Sequence, residues 1–429
     1  MRFIRYEIPK SMLAIFDQGV MSLTNFVLNL VLARYASPEV YGRFIIVFSV
    51  FLFVTSFIHT PLTLDPLIIL GNKIDNKENQ FIYVRRTLGF HLLLSLISIV
   101  VLVIIAIFFC FFKKPVYAEI ILLTFAPLFF INLRLFIRCF YIMKGEFKKA
   151  FKNDLRVLII VILGAIGLVH LGEISDWEVV ALMTISEVVV ILFFIILNYK
   201  KFFHFISSFL SDIKAQHMFW KWKEIQQNWN YGKWLMLANV GNYVYQNAQF
   251  LLLPVFVSLA ELARYRAWYL LTQPIYMFTT GLEAYVWNQS VERMKNGGIK
   301  ELWNFLWKMA RTISLFILLY GLFIAINSHT VVKVVYAGKF DGSTNLLWFF
   351  ILAALFNFWG KLSGSGLRAL ESTAVISSSI LYAGTTGLVT FLILTKSLGI
   401  MGTAISYALS SLITVLIMIL KIKSVIIER

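Results

Sequence analysis

The chain has 429 residues, of which 59% are hydrophobic and only 14% are charged. Soluble proteins carry about 25% charged residues, so this composition excludes a water-soluble globule and predicts an all-α, polytopic membrane protein. The net charge of +17 comes from short basic clusters between apolar runs, which is typical of membrane orientation signals and excludes a nucleic-acid-binding surface.

Twelve apolar runs are long enough to cross a bilayer as helices, which takes about 20 residues each. In chain order they cover residues 11–33, 41–69, 87–112, 117–142, 155–171, 178–199, 231–255, 264–290, 308–327, 344–362, 373–395 and 398–420. Prolines interrupt the second run at Pro61 and Pro66 and the eighth at Pro274. The amino terminus is basic and has no cleavage site, so we expect an uncleaved first helix.

The runs fall into two groups of six. They predict an amino-terminal lobe over residues 1–199 and a carboxy-terminal lobe over residues 231–429. Between them, residues 200–230 are rich in Phe, Lys and Trp, which predicts a cytoplasmic interfacial helix that links the lobes.

Lys and Arg residues are distributed unevenly between the two sides of the membrane that twelve helices define. Segments on the side of the amino terminus carry 30 of them, and segments on the other side carry 9. Because cytoplasmic loops carry the excess of Lys and Arg, we predict that both termini are cytoplasmic.

The two predicted lobes show signs of an internal repeat. At an offset of 221 residues, Arg43 aligns with Arg264, and Gln18 aligns with Asn239. Six helices per lobe give both repeats the same orientation, so we predict a pseudo-twofold axis along the membrane normal.

Polar side chains recur every three or four residues in the first and seventh runs, which places each set on one helical face. The first set is Gln18, Ser22, Asn25 and Asn29, and the second is Asn239, Asn242, Gln246 and Gln249. Such stripes avoid lipid, because an unpaired amide is costly there. They indicate either hydrogen bonds between helices or a wet central cavity.

Ionisable residues in or beside the apolar runs are expensive and usually functional. The cations are Arg34, Arg43, Arg134, Arg138, Arg264 and Arg266. Arginine forks match phosphate oxygens, but Arg134 and Arg138 could also reach lipid headgroups, and the other four could be ordinary loop charges. Four further residues predict either buried ion pairs or sites that couple transport to H⁺ or Na⁺: Asp17, His59, Asp65 and Glu283.

Motifs of several enzyme classes are absent from the sequence. There is no G-x-x-x-x-G-K-[ST] phosphate loop, no Cys/His cluster with zinc spacing and no G-x-S-x-G element. The predicted outer loops are also short for a membrane glycosyltransferase. These observations favour a transporter over an enzyme and predict no metal or organic cofactor.

Five short segments carry a family resemblance. They are Ala33-Arg-Tyr-Ala-Ser-Pro-Glu-Val-Tyr-Gly-Arg-Phe44, Leu64-Asp-Pro-Leu-Ile-Ile-Leu-Gly71, Ala263-Arg-Tyr-Arg-Ala267 followed by Gln273-Pro274, Tyr336-Ala-Gly-Lys-Phe340 and Gly399-Ile-Met-Gly-Thr-Ala404. In these segments the chain resembles bacterial polysaccharide and O-antigen flippases of the multidrug/oligosaccharidyl-lipid/polysaccharide exporter (MOP) superfamily. The resemblance extends over nearly the whole chain.

The resemblance implies a twelve-helix transporter that carries a polyprenyl-diphosphate-linked oligosaccharide from the inner to the outer leaflet by alternating access. The cargo would be an O-antigen, capsule or exopolysaccharide repeat unit, and the location the bacterial inner membrane. The implied partners are membrane lipids and polysaccharide polymerase machinery, with the chain a monomer. The first helix departs from the most basic family members because it carries amides where they carry arginine.

Because the first helix lacks that arginine, the resemblance implies that arginines elsewhere in the chain bind the diphosphate. The candidates are Arg34, Arg43, Arg134, Arg264 and Arg266, predicted to line one cationic cleft together with the amide stripes. An ion-coupled exporter of the multidrug and toxin extrusion type is the alternative, although the arginine excess disfavours a pocket for organic cations. A membrane-embedded enzyme of envelope glycan assembly is the less favoured alternative.

Overall fold

The computed structural model describes residues 10–172, 174–199, 207 and 223–428, and in this part of the chain it contains helices and turns without strands. Helices satisfy their own backbone N–H and C=O groups, which the lipid interior cannot do. The basic amino terminus and most of the predicted interfacial linker lie outside the described residues.

The described part of the first half of the chain forms eight α-helices. They are α1 Lys10–Tyr35, α2 Pro38–Val54, α3 Asp65–Ile69, α4 Lys77–Phe111, α5 Pro115–Leu123, α6 Phe125–Met143, α7 Phe147–Leu171 and α8 Asp176–Leu197. A π-helix, Thr55–Leu64, joins α2 to α3, and a short 3₁₀ turn, Gly71–Lys73, follows α3. The side chain of Ser175 caps α8 through a reciprocal capping box with Glu178.

The described part of the second half of the chain forms seven more α-helices. They are α9 Lys223–Gln246, α10 Ala248–Leu252, α11 Leu259–Leu270, α12 Gln273–Ile326, α13 Ser328–Tyr336, α14 Thr344–Ala369 and α15 Thr373–Glu428. A 3₁₀ turn, Leu253–Val255, follows α10. Two of these helices are interrupted, α12 at Gly298 and α15 at Gly399, where φ is positive. Glycine tolerates this backbone conformation, so each break lets one long helix fold as two.

Every predicted apolar run lies within a helical segment. Among the described residues, eight helices are long and apolar enough to cross a membrane. The interrupted helix α15 contains the last two predicted runs, whereas α12 contains most of the ninth run and the part of the eighth that follows residue 272. The prediction of an all-α, polytopic membrane protein is confirmed. The number of twelve membrane crossings and the twofold axis stay predictions.

The predicted proline interruptions coincide with changes in helix type. Pro61 lies inside the π-helix Thr55–Leu64, because proline lacks the N–H that a regular helix would require there. Pro66 and Pro274 lie in the first turns of α3 and α12, where that missing N–H has no intrahelical partner in any case.

The chain packs as two compact units. Unit 1 contains the described parts of residues 1–28 and 46–240, and unit 2 contains residues 29–45 and the described part of 241–429. The outer ends of α1 and α2 therefore belong to unit 2, and most of α9 belongs to unit 1. The predicted lobes are repeats of six helices, whereas these units are defined by packing. The lobe boundaries therefore stay a prediction.

Candidate functional site

Five charged side chains meet inside unit 1. Arg134 on α6 pairs with Asp154 on α7 and with Glu187 on α8. One turn later on α6, Arg138 donates from Nε to the Asp154 carboxylate at 2.8 Å and from Nη2 to Asp17 on α1. Asp154 is therefore shared by both arginines. We call these five residues the charge network.

The charge network is largely removed from solvent. The side chains of Arg134 and Asp154 are 7% and 1% exposed, so neither depends on water for its solvation. Buried charges persist only when they are paired and hydrogen-bonded. With all groups ionised, two guanidinium groups face three carboxylates, which leaves one negative charge that a proton or a small cation could balance.

A cavity of about 150 Å³ adjoins the charge network. Its polar lining consists of Thr24, Asn25, Thr55, Arg134, Asp154, Ser186 and Glu187, and the remaining lining is apolar. Because a site for one water requires only about 10–15 Å³ of such volume, the cavity has room for several waters or a small cation.

Two buried histidines form a second polar cluster in unit 1. His59, on the π-helix, and His91, on α4, approach each other through their Nδ1 atoms at 3.3 Å. The hydroxyl of Thr63 donates to the His59 carbonyl at 2.7 Å and lies 2.7 Å from Nδ1 of His91. Asp65 begins α3 directly after the π-helix and is half-buried. The structure thus places His59 beside an unpredicted histidine.

Four of the predicted arginines belong to unit 2. Arg266 packs its guanidinium over Phe250, 4.6 Å from the ring centroid, and over Tyr269. Its Nε donates a long hydrogen bond of 3.4 Å to Asn29, whose oxygen also accepts from Tyr41. Within the described residues no carboxylate pairs with Arg266.

Arg264 is half-buried in the same helix. Its Nε atom is buried and has no hydrogen-bond partner among the described residues. Arg34 donates to the carbonyl oxygen of Val334, and Arg43 lies half-buried on α2. Arg34, Arg43, Arg264 and Arg266 thus share unit 2, whereas Arg134 belongs to unit 1.

Residues of the predicted polar stripes line a cavity at one position and form hydrogen bonds between helices at others. Asn25 lines the cavity of unit 1, whereas Asn239 donates to the carbonyl of Ser56 at 2.8 Å and so joins α9 to the π-helix. Gln249 accepts from the Tyr265 hydroxyl at 2.8 Å. Gln246 is exposed. The side chains of Gln18 and Asn242 lie outside the described part of the chain.

Sequence reasoning missed several members of these clusters. Asp154 and Glu187 are single acids at the edge and in the middle of apolar runs, so the cost of burying a charge could have indicated them. Arg138, which could have reached lipid headgroups, is paired with carboxylates instead. Glu283, predicted as an ion-pair residue, faces Lys361 and Arg368.

Charged side chains held between apolar helices of membrane-crossing length indicate a functional site in a polytopic membrane protein. The family model described as polysaccharide biosynthesis protein matches residues 31–345, well over half of the chain. The chain belongs to this polysaccharide biosynthesis protein family. No curated protein matches it.

Solved structures share the fold at low sequence identity. The lipid II flippase MurJ, in an inward closed conformation, is 14% identical with a TM-score of 0.70 over 96% of this chain and 87% of that chain. An inward-facing multidrug resistance MATE family transporter of the MOP superfamily is 13% identical with a TM-score of 0.71 over 94% of both chains. A MOP superfamily transporter from Pyrococcus furiosus, described as having reverse polarity of its binding pocket, is 13% identical with a TM-score of 0.59 over 97% and 95%.

The family match confirms the predicted link to polysaccharide biosynthesis, and the structural matches show that the chain shares its fold with a lipid II flippase and with a MOP superfamily transporter. They leave the cargo to be inferred from the site.

Proposed function

We propose that the protein translocates a polyprenyl-diphosphate-linked oligosaccharide from the inner to the outer leaflet of the bacterial cytoplasmic membrane by alternating access, with both termini in the cytoplasm. The family match to polysaccharide biosynthesis supports this proposal, as does the shared fold with a protein named as a lipid II flippase. The cargo would be an O-antigen, capsule or exopolysaccharide unit.

The observation that carries the proposal is a pair of uncompensated arginines in unit 2. Arg264 and Arg266 are half-buried, and within the described residues neither makes an ion pair. A cation that is partly withdrawn from water without a counter-charge is costly, so each of these half-buried arginines is expected where an anionic ligand supplies the charge. Their spacing of two residues places the two side chains on different faces of the helix. Guanidinium forks stay protonated and match phosphate oxygens, which suits a diphosphate.

The surroundings of Arg266 suit a sugar-bearing phosphate. The rings of Phe250 and Tyr269 contact the guanidinium, and aromatic contacts stabilise a cation without neutralising it, so its charge is still available to an anion. Tyr41 and Asn29 add a hydroxyl and an amide on the same side of unit 2. Such groups form the hydrogen bonds that carbohydrate hydroxyls require.

The charge network would couple transport to a cation. Its surplus of one carboxylate, beside a cavity of about 150 Å³, supports binding of H⁺ or Na⁺. Asp17, Asp154 and Glu187 are the groups that would take the proton or the ion. The same surplus is the observation that favours the alternative function, export of organic cations by a multidrug and toxin extrusion mechanism.

Reconstituted flipping tests the proposal. In proteoliposomes with a fluorescent undecaprenyl-diphosphate oligosaccharide, the wild-type protein should expose cargo to an outside quencher or glycosidase. The double variant Arg264→Ala with Arg266→Ala should lose most of this activity, and lysines at both positions should restore it in part. Arg293→Ala is the matched control, because that arginine forms a surface pair with Glu301 at 2.6 Å.

Three results would count against the proposal. Wild-type vesicles that do not flip the cargo, or a double alanine variant as active as wild type, would refute it. Efflux of an organic cation such as ethidium, without flipping, would establish the alternative function.

A further inference from the structure

A second group of cations lies in unit 2, away from Arg264 and Arg266 in sequence. Helices α12 and α14 bring Glu283, Lys361 and Arg368 together. Lys361 Nζ lies 3.6 Å from Oε2 of Glu283, and Arg368 Nη1 lies 3.8 Å from Oε1. Both distances exceed the 2.7–2.9 Å of a charge-assisted hydrogen bond, so one carboxylate is shared loosely by two cations.

The charge of this group is unbalanced within a membrane helix. Two cations face one carboxylate, and their side chains are 29%, 34% and 36% exposed for Lys361, Glu283 and Arg368. Lys361 precedes the end of α14 by eight residues, or about 12 Å of helix. Lys361 is the penultimate residue of the predicted apolar run 344–362, so the excess of cations lies at the end of that run, where an anionic ligand can balance it.

Open space lies between the two cations. Gly364 follows Lys361 by three residues and precedes Arg368 by four, so the three share one face of α14. No heavy atom lies within 4 Å of the position that a Cβ at Gly364 would take. Gly364 is buried, and among the described residues no neighbouring side chain fills the position of its missing Cβ between the lysine and the arginine.

Further groups extend the site along α12. Thr280 accepts a hydrogen bond from Lys361 Nζ at 2.7 Å, and Trp287 lies under the Arg368 guanidinium at 5.0 Å. Thr280, Glu283 and Trp287 follow one another at helical spacing on one face. The indole is 47% exposed, so its ring also faces the surroundings.

We infer that Lys361 and Arg368 form a phosphate-binding site, closed on one side by Glu283, that first receives the diphosphate of the lipid-linked cargo at the cytoplasmic end of unit 2. The charge distribution along the chain predicts that end of α14 to be cytoplasmic. This inference rests on the proposed function and adds a site to it. A phospholipid headgroup has the same phosphate chemistry, and the experiment must separate the two ligands.

Binding of undecaprenyl diphosphate to the purified full-length protein provides the test, measured by native mass spectrometry in detergent. The double variant Lys361→Gln with Arg368→Gln should bind about tenfold more weakly or worse, since two charge-assisted contacts are lost. Gly364→Leu keeps both cations but fills the space between them, and it should weaken binding to a similar degree. Arg293→Gln on α12 and Gly167→Leu at an open position of α7 are the matched controls, expected to bind as wild type.

The outcomes separate this site from the proposed function. Variants that bind undecaprenyl diphosphate as tightly as wild type overturn the inference, whether or not flipping persists. Phosphatidylglycerol that displaces undecaprenyl diphosphate at equal concentration overturns the assignment to the cargo and identifies a headgroup site. Wild-type protein that binds through these residues but flips nothing refutes the proposed function alone.

Discussion

At the scale of single residues, the charge network dictates how unit 1 responds to substitution. Arg134→Ala would leave Asp154 and Glu187 buried without their shared cation. Breaking a buried pair in this way costs about 3–5 kcal/mol, so we expect a markedly lower unfolding temperature in detergent. The double variant Arg134→Met with Glu187→Leu should be far less destabilised, because it removes both charges. Equal losses in both variants would contradict the network as described.

The turn between α13 and α14 offers a prediction on pH. The backbone N–H of Gly342 and the His329 imidazole, 2.7 Å away, lower the pKa of Asp341 below its ordinary value of 3.8. A lowered folded-state pKa contributes stability above the unfolded value that is lost as pH falls through the folded value. Asp341→Asn should therefore be less stable than wild type at pH 6, and the difference should shrink as the pH falls below 3.8 and vanish only below the lowered pKa of the folded state. A difference that is constant from pH 6 to pH 3 would contradict this origin.

The partners of these residues could not be found from the sequence alone. An apolar run indicates depth, and a spacing of three or four indicates a face, so Arg134 and Asp17 were recognisable as charges inside the membrane. Glu187 is 53 residues from Arg134, and Asp17 is 121 residues from Arg138. Neither hydropathy nor periodicity states which helices become neighbours. The sequence therefore identifies charged residues at membrane depth but not which of them pair with each other.

At the scale of elements, a close helix crossing in unit 1 depends on glycine. A Cβ added at Gly232 on α9 would overlap the carbonyl oxygen of Pro61 on the π-helix. Alanine normally improves a helix by about 1 kcal/mol over glycine, but overpacking costs about 1–3 kcal/mol. We expect Gly232→Ala to lower the unfolding temperature, whereas Gly167→Ala, which meets no atom within 4 Å, should leave it unchanged or raise it. Equal effects at the two sites would show that α9 can shift at no cost.

The positions of the helices followed from the sequence far better than their internal irregularities. Long apolar runs predicted every membrane helix, because lipid leaves the backbone no other regular structure. Pro61 indicated an interruption, but the π-helix around it depends on how α4 and α9 pack there. The break at Gly298 lies between two predicted runs, and the break at Gly399 lies at the start of the last run, where glycine was consistent with a turn.

At the scale of the whole molecule, the uneven distribution of Lys and Arg leads to a topology that can be tested directly. Reporter fusions after Lys114, Gly338 and Lys396 should report the outer side, and fusions after Lys77 and Lys149 should report the cytoplasm. Enzymatic reporters that are active on opposite sides of the membrane provide the measurement. One inverted fusion would require a different number of crossings before that position.

The pairing of Arg138 with Asp17 has a consequence for how the protein enters the membrane. The two residues are 121 positions apart, and synthesis proceeds at about 5–20 residues per second, so Asp17 emerges on the order of ten seconds before its arginine. During that interval the carboxyl group of the first helix has no cationic partner from α6. This carboxyl group must stay protonated, remain hydrated or be stabilised by the insertion machinery until α6 has been synthesised. The Arg138–Asp17 ion pair thus stabilises unit 1 in the folded protein, whereas the unpaired Asp17 carboxylate opposes membrane insertion before α6 is made.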